Sequence, residues 1–190
     1  DASRIGSDTR SEILEMDDVR IWSDVRTADE ISANYQSQLD GDESNLVAYY
    51  RFDEDTSDGT VDNYATATGS ALNGTLTGAA RTVNVPIGAM RFDGSDGTGF
   101  AANDDFVQVQ TPTGGVLDSN ASFTYELWAR TNNTDLQTLL SIGESGDGTA
   151  MRIGASGALR LNDASQGSNT ANVFGTTDLH DGLWHHLAVV

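Results

Sequence analysis

The chain has 190 residues, 37% of them apolar, enough for one substantial core or for one domain with part of another, which excludes wholesale disorder. Its 29 acidic residues face 10 basic ones, all arginine, for a net charge of −19, so long-range repulsion opposes binding to nucleic acid or insertion at an anionic membrane. There is no cysteine, which rules out disulfides and thiolate metal sites, and no apolar run approaches a membrane span.

The first predicted strand is "EILEMDDVRIW" (12–22), whose alternation sets Val19 and Ile21 on one face and Met16, Arg20 and Trp22 on the other. A helix follows. Thr27 and Glu30 form a capping box, Ile31, Tyr35 and Leu39 recur every four residues as an apolar stripe, and Gly41 stands where the helix should stop. Everything after it reads as β-structure. "LVAYYRF" (46–52) is rich in apolar and aromatic residues, and the Asn73-Gly74 pair in "ALNGTL" signals a hairpin turn. Strands are predicted at 89–92, 106–110, 122–130, 136–143, 150–155, 158–162 and 184–190, with Gly, Asn, Asp and Ser between them. Many short strands at close spacing predict an all-β fold, an antiparallel sandwich or jelly roll with one short helix near the N-terminus. "RFDEDTSDG" (51–59) and "RFDGSDGTG" (91–99) are two similar strand exits and not a repeat, because their flanks do not match.

"MRFDG" (90–94), "DDFVQV" (104–109), "SFTYELWAR" (122–130) and "DGLWHHLAVV" (181–190) together resemble the successive signatures of laminin G-like, concanavalin A-type jelly-roll domains. In that family the corresponding elements read FDG…DDYV, FTVEAWV and DGQWHHVAV. "MDDVRIWSDVRTADEI" (16–31) resembles the segment that closes such a domain, and "LVAYYRFDE" (46–54) the one that opens the next module in bacterial tandem arrays. The resemblance therefore implies that residues 1–40 close one module and residues 41–190 open another and form its first part. The chain starts at Asp1 without a signal-like segment and reads as an interior piece of a longer protein. The strands expected after "WHHLAVV" would come from another chain, from residues 1–40 folding back, or from the remainder of a larger protein.

The loop "RFDEDTSDGTVDN" offers Asp53, Glu54, Asp55, Asp58, Asp62 and Asn63, and calcium takes six to eight such oxygens. It is not an EF-hand, since Asp58 stands where Gly is required and Tyr64 where Glu is required. The family resemblance implies a structural calcium here, with Asp17, Asp53, Asp58 and Asp62 as its ligands. "NYATATGS" replaces the Gly-rich stretch that the family carries after Asp62.

Adjacent His185 and His186 on one strand point to opposite faces and cannot share a site; His180 is a lone loop residue. Glu126 is the one acid on "SFTYELWAR", whereas retaining glucanases of this superfamily carry several on an E-x-D-x-E strand. No nucleophile triad, P-loop or dinucleotide fingerprint occurs. The expected protein is not an enzyme. It is an extracellular or cell-surface adhesion or spacer module with structural calcium, whose partners are a glycan or a cell-surface protein. The alternatives are a carbohydrate-binding module of a secreted enzyme and a filament subunit completed by neighbouring copies of itself. Trp22, Tyr49, Tyr50, Tyr64 and Trp184 are the candidates for stacking on sugars, and Asn-x-Ser/Thr sequons stand at Asn73, Asn120 and Asn132.

Overall fold

A computed structural model describes residues 2–6, 14–54, 59–78, 80–82, 88–92, 105–110, 122–143, 148–163 and 171–190. Among these, the N-terminal part forms β1 (Ala2–Gly6), β2 (Leu14–Trp22), α1 (Ala28–Asn34), β3 (Leu46–Tyr50), β4 (Thr60–Val61) and a single 3-10 turn (Gly69–Leu72). There follow β5 (Gly74–Thr77), β6 (Ala80–Thr82), β7 (Ala89–Phe92), β8 (Phe106–Gln110), β9 (Thr124–Arg130) and β10 (Gln137–Ile142). The last strands are β11 (Thr149–Ile153), β12 (Leu159–Asp163), β13 (Ala171–Phe174) and β14 (His185–Val189).

The strands make two antiparallel sheets, an arrangement consistent with a jelly-roll sandwich. One sheet has eight strands in the order β13-β12-β11-β10-β1-β8-β5-β4; the other runs β14-β9-β2-β7-β6, with β3 added beside β2. Period-two alternation explains why they pack. Ile5, Leu140, Met151 and Leu161 lie in one register row of the larger sheet, and Leu127 and Leu187 are register partners in the smaller. All six belong to one continuous apolar core between the sheets. Burying side chains of this size contributes roughly 1.5–3 kcal/mol each.

β1 and β2 do not stand at the margin of the fold. β1 lies between β10 and β8, and β2 pairs with β9 on one edge and with β7 and β3 on the other. β1 and β2 thus lie in the interior of the two sheets built with strands from the rest of the chain.

Three local expectations are corrected. Met16 shares the core with Val19 and Ile21 and does not lie on the face of Arg20 and Trp22. The reason is a register shift in β2 between Asp17 and Arg20, where Asp18 adopts a positive φ of 53°; the extra residue reverses the alternation across the bulge. The helix ends at Asn34, well before Gly41, because the Arg20 guanidinium takes the carbonyl oxygens of Asn34 (3.0 Å) and Ser37 (2.6 Å). Asn73-Gly74 is not a hairpin turn. Asn73 sits at φ −59°, and its side chain accepts the Asn63 N–H and donates to Asp62, tying the start of β5 to the end of β4. The second of the similar strand exits, 91–99, lies mostly outside the described residues.

A second, smaller apolar cluster covers the outer face of the six-stranded sheet. Trp22, Leu39, Leu46, Tyr49 and Ala65 are buried there, with Tyr64 packed against them. The capping box of α1 is formed: Thr27 Oγ1 accepts the Glu30 N–H, and Glu30 accepts the Thr27 N–H at 2.8 Å.

Candidate functional site

The β2 bulge places charged side chains in the interior. Arg20 points away from the central core and is 1% exposed. It bonds Asp18 Oδ2 at 3.0 Å and lies over the Tyr49 ring, while the Tyr49 hydroxyl donates to Asp18 Oδ1 at 2.6 Å. The carboxylate of Asp18 is thereby held by two donors, and burial together with this carboxylate pushes the Tyr49 phenol well above its usual range. Nothing neutralises Asp17 in the same way. Half-buried, it accepts the Asp18 N–H, but burial and the adjacent charges of Asp18 and Asp53 push its pKa up to about 8.

Asp53 stands at the strand exit after β3. Its oxygens accept from Gln38 Nε2 (2.7 Å) and the Gly88 N–H (3.0 Å), and Arg51 lies 3.5 Å away. Asp62 is in a different environment. Its N–H donates to Glu54 Oε1, and its carboxylate accepts from Asn73. Glu54 Oε2 is buried with no hydrogen-bond partner among the described residues. Asn63 is occupied structurally: its Oδ1 accepts the Tyr49 and Ala65 N–H groups, and its Nδ2 donates to Thr68 and to the Gly69 carbonyl.

Of the four nominated calcium ligands, Asp17 and Asp53 come within electrostatic reach of each other, Asp62 joins Glu54, and Asp58 lies outside the described residues. Among the described residues no three His, Cys, Asp or Glu side chains are grouped so as to hold a metal ion. The donor type is the one calcium takes: every candidate is an oxygen, burial and the neighbouring charges raise the Asp17 pKa, and the Glu54 Oε2 has no hydrogen-bond partner among the described residues. A complete shell would need oxygens from the Asp58 loop as well. Asp18, Arg20 and Gln38 were not singled out from the sequence. The available signal was a basic residue two positions after an acidic pair inside a strand.

The second charged feature is the outer face of β9. Glu126 is only 2% exposed, and its carboxylate lies 3.3 Å from His186 Nε2. Arg20 and Ala188 are its cross-strand partners, so no carboxylate stands directly opposite it. α1 is fixed over this face at both ends. Before the helix, Thr124 Oγ1 accepts the Arg26 N–H and donates to the Asp24 carbonyl; after it, Trp128 Nε1 donates to the Tyr35 carbonyl at 2.9 Å. Tyr35 and Trp128 stack with centroids 5.9 Å apart, and His186 meets the first tilted at 5.3 Å and the second edge-on at 5.4 Å. His185 faces the other way and contacts Asp181 at 2.9 Å. That hydrogen bond holds the Asp181 carboxyl below its usual range.

Of the five aromatic residues considered for sugar stacking, Trp22, Tyr49 and Tyr50 are fully buried. Tyr64 and Trp184 are half-buried, with Arg51 and Arg130 respectively over their rings. No helix among the described residues is long and apolar enough to cross a membrane.

Residues 101–190, just under half of the chain, match a laminin G-like family model described as the concanavalin A-like lectin/glucanases superfamily. That stretch runs from the residues just before β8 through β14, and it includes both Glu126 and His186. Neither the curated proteins nor the solved structures gave a match. The superfamily contains both enzymes and non-enzymes, so the match leaves activity to be argued from the residues.

Proposed function

From a chain with a concanavalin A-like sandwich and a laminin G-like match over residues 101–190, we propose a non-catalytic extracellular recognition module, an adhesion or spacer unit that contacts a glycan or a cell-surface protein. The observation that carries this reading is the burial of Glu126. Glycoside hydrolysis needs two carboxyl groups about 5–9.5 Å apart on either side of a bound sugar. Glu126 instead has Arg20 and Ala188 as its cross-strand partners, is 2% exposed and lies 3.3 Å from His186 Nε2. Calcium is part of the proposal. Bound between Asp17 and Asp53 with oxygens of the Asp58 loop, it would replace the proton that Asp17 retains and tie the bulge of β2 to the loop after β3.

The test is to incubate the chain with a panel of polysaccharides in calcium and to measure both retention and newly released reducing ends. Retention without release is expected. Release of reducing ends that disappears in Glu126→Gln would overturn the non-catalytic reading. A carbohydrate-binding role, with catalysis residing elsewhere in a longer secreted protein, is favoured over a pure spacer by the half-buried Trp184 near the strand ends. Binding to no glycan in the panel would decide for the spacer.

A further inference from the structure

Four stretches far apart in the sequence meet at one end of the six-stranded sheet and enclose an open cavity of about 250 Å³. β2 contributes Leu14 and Glu15, β7 contributes Arg91, and β9 contributes Arg130. Thr131 and Asn132 follow directly, and Gly182 closes the rim from the turn before β14. The Gly182 N–H donates to the Thr131 carbonyl at 3.1 Å, so the last two walls are fastened together.

The charge here is opposite to that of the rest of the molecule. Glu15 is the register partner of Arg91 on one side and of Arg130 on the other. It spends its charge on Arg130, with which it forms a close ion pair. Arg130 also lies over the Trp184 ring, 5.2 Å from the centroid. Arg91 is exposed and forms no ion pair among the described residues. Among the described residues lining the cavity, two guanidinium groups stand against one carboxylate, in a chain of net charge −19.

We propose that this cavity binds the carboxylate-bearing ring of an acidic saccharide, a uronic acid residue, with Arg91 as the group that takes the carboxylate. The proposal rests on the recognition-module reading and names its ligand class. A planar guanidinium fork matches a planar carboxylate with two parallel hydrogen bonds. Glu15 and Asn132 line the cavity and supply acceptors and donors for ring hydroxyls. At about 250 Å³ the cavity lies below the roughly 300–1,000 Å³ of pockets for drug-sized ligands, which limits the occupant to about a single ring.

The experiment is calorimetric titration of the whole chain at low salt with trigalacturonate, its methyl ester, a panel of neutral oligosaccharides, and an acidic peptide of equal charge. Each titration is repeated on Arg91→Ala. An exposed residue without an ion-pair partner among the described residues should leave the unfolding midpoint unchanged on truncation, so loss of binding would not reflect loss of fold. Trigalacturonate is expected to bind at least about tenfold more tightly than the ester and to lose a similar factor in Arg91→Ala, the range for a charged hydrogen bond. Its affinity should also fall as salt is added. Equal binding of acid and ester, or indifference to Arg91→Ala, would overturn the site, as would a peptide that binds as well as the sugar. Neutral saccharides bound independently of Arg91 would overturn this site and leave the recognition module standing, whereas binding to no saccharide would remove the glycan reading with it.

Discussion

Asp17→Asn should flatten the pH dependence of stability measured in chelator. The folded state holds the Asp17 proton up to a pKa of about 8, against a usual value of 3.8, because of burial and the charges of Asp18 and Asp53. A raised folded-state pKa means that the native chain binds more protons than the unfolded chain between those two values. Stability is therefore complete below about pH 4 and drains away as pH rises toward 8. About four pKa units at 1.36 kcal/mol each give a loss on the order of 5 kcal/mol. A whole domain commonly has only about 5–15 kcal/mol. Asn retains the oxygen that accepts the Asp18 N–H at 2.8 Å, so the substitution removes the titration and keeps the hydrogen bond.

The assay is urea unfolding of wild type and variant at several pH values from 4 to 9. General repulsion within a chain of charge −19 affects both proteins alike, so the difference between the two curves isolates Asp17. The curves should meet near pH 4 and diverge by several kcal/mol at pH 8, with the Asp17→Asn variant the more stable. Parallel curves would refute the electrostatic account of the bulge. Excess calcium should restore the wild type at pH 8, by about 2.7 kcal/mol at a hundred times the dissociation constant, and do far less for the variant. A calcium response that survives Asp17→Asn undiminished would remove Asp17 from the ion's ligands.

Arg20→Met should cost about 3–5 kcal/mol, since it leaves the Asp18 carboxylate and the carbonyls of Asn34 and Ser37 without their buried cation; a loss under 1 kcal/mol in urea unfolding would show the network to be replaceable. Thr27→Ala should cost about 1 kcal/mol by removing one half of the capping box, read as a lowered unfolding midpoint, and no shift would mean that α1 is held by its tertiary anchors alone. Gly41→Ala should destabilise by about 2–4 kcal/mol, because Gly41 adopts φ +92° and an added Cβ would run into the Tyr64 carbonyl oxygen; a neutral result in the same assay would contradict that packing.

The alternation of β8, β9 and β14 was readable because each has one face in the core, and β3 was readable because it is apolar and aromatic throughout and buried on both faces. The short edge strands were not. β4 and β6 have two and three residues, and neither carries enough alternation to rise above the surrounding Gly, Thr and Ser. β1 is five residues long with one strongly apolar member, Ile5, and its place between β10 and β8 is fixed by tertiary pairing that no local pattern encodes. The N-cap of α1 was legible in Thr27 and Glu30, whose bonds are local. Its C-terminus was not, since the group that draws off the carbonyls of Asn34 and Ser37 comes from a strand fourteen and seventeen residues earlier.

The candidate site shows the same division more sharply. Asp17 and Asp53 were identifiable as acids of a family-like segment, but their meeting depends on one residue of slip in β2. At ideal alternation Asp18 would share the face of Met16 and Arg20. The bulge frees Asp18 to adopt φ 53°, sends Met16 into the core, and leaves Arg20 on the outer face to hold Asp18 and the end of α1. One backbone irregularity thus sets the protonation of Asp17, the length of the helix and the packing of Trp128 against Tyr35. Glu126, the one acid on its strand, is a buried group once the helix is stopped in place. The arginine that stops it is the residue opposite Glu126 in the sheet. Arg20 therefore couples the end of the helix to the strand that carries Glu126.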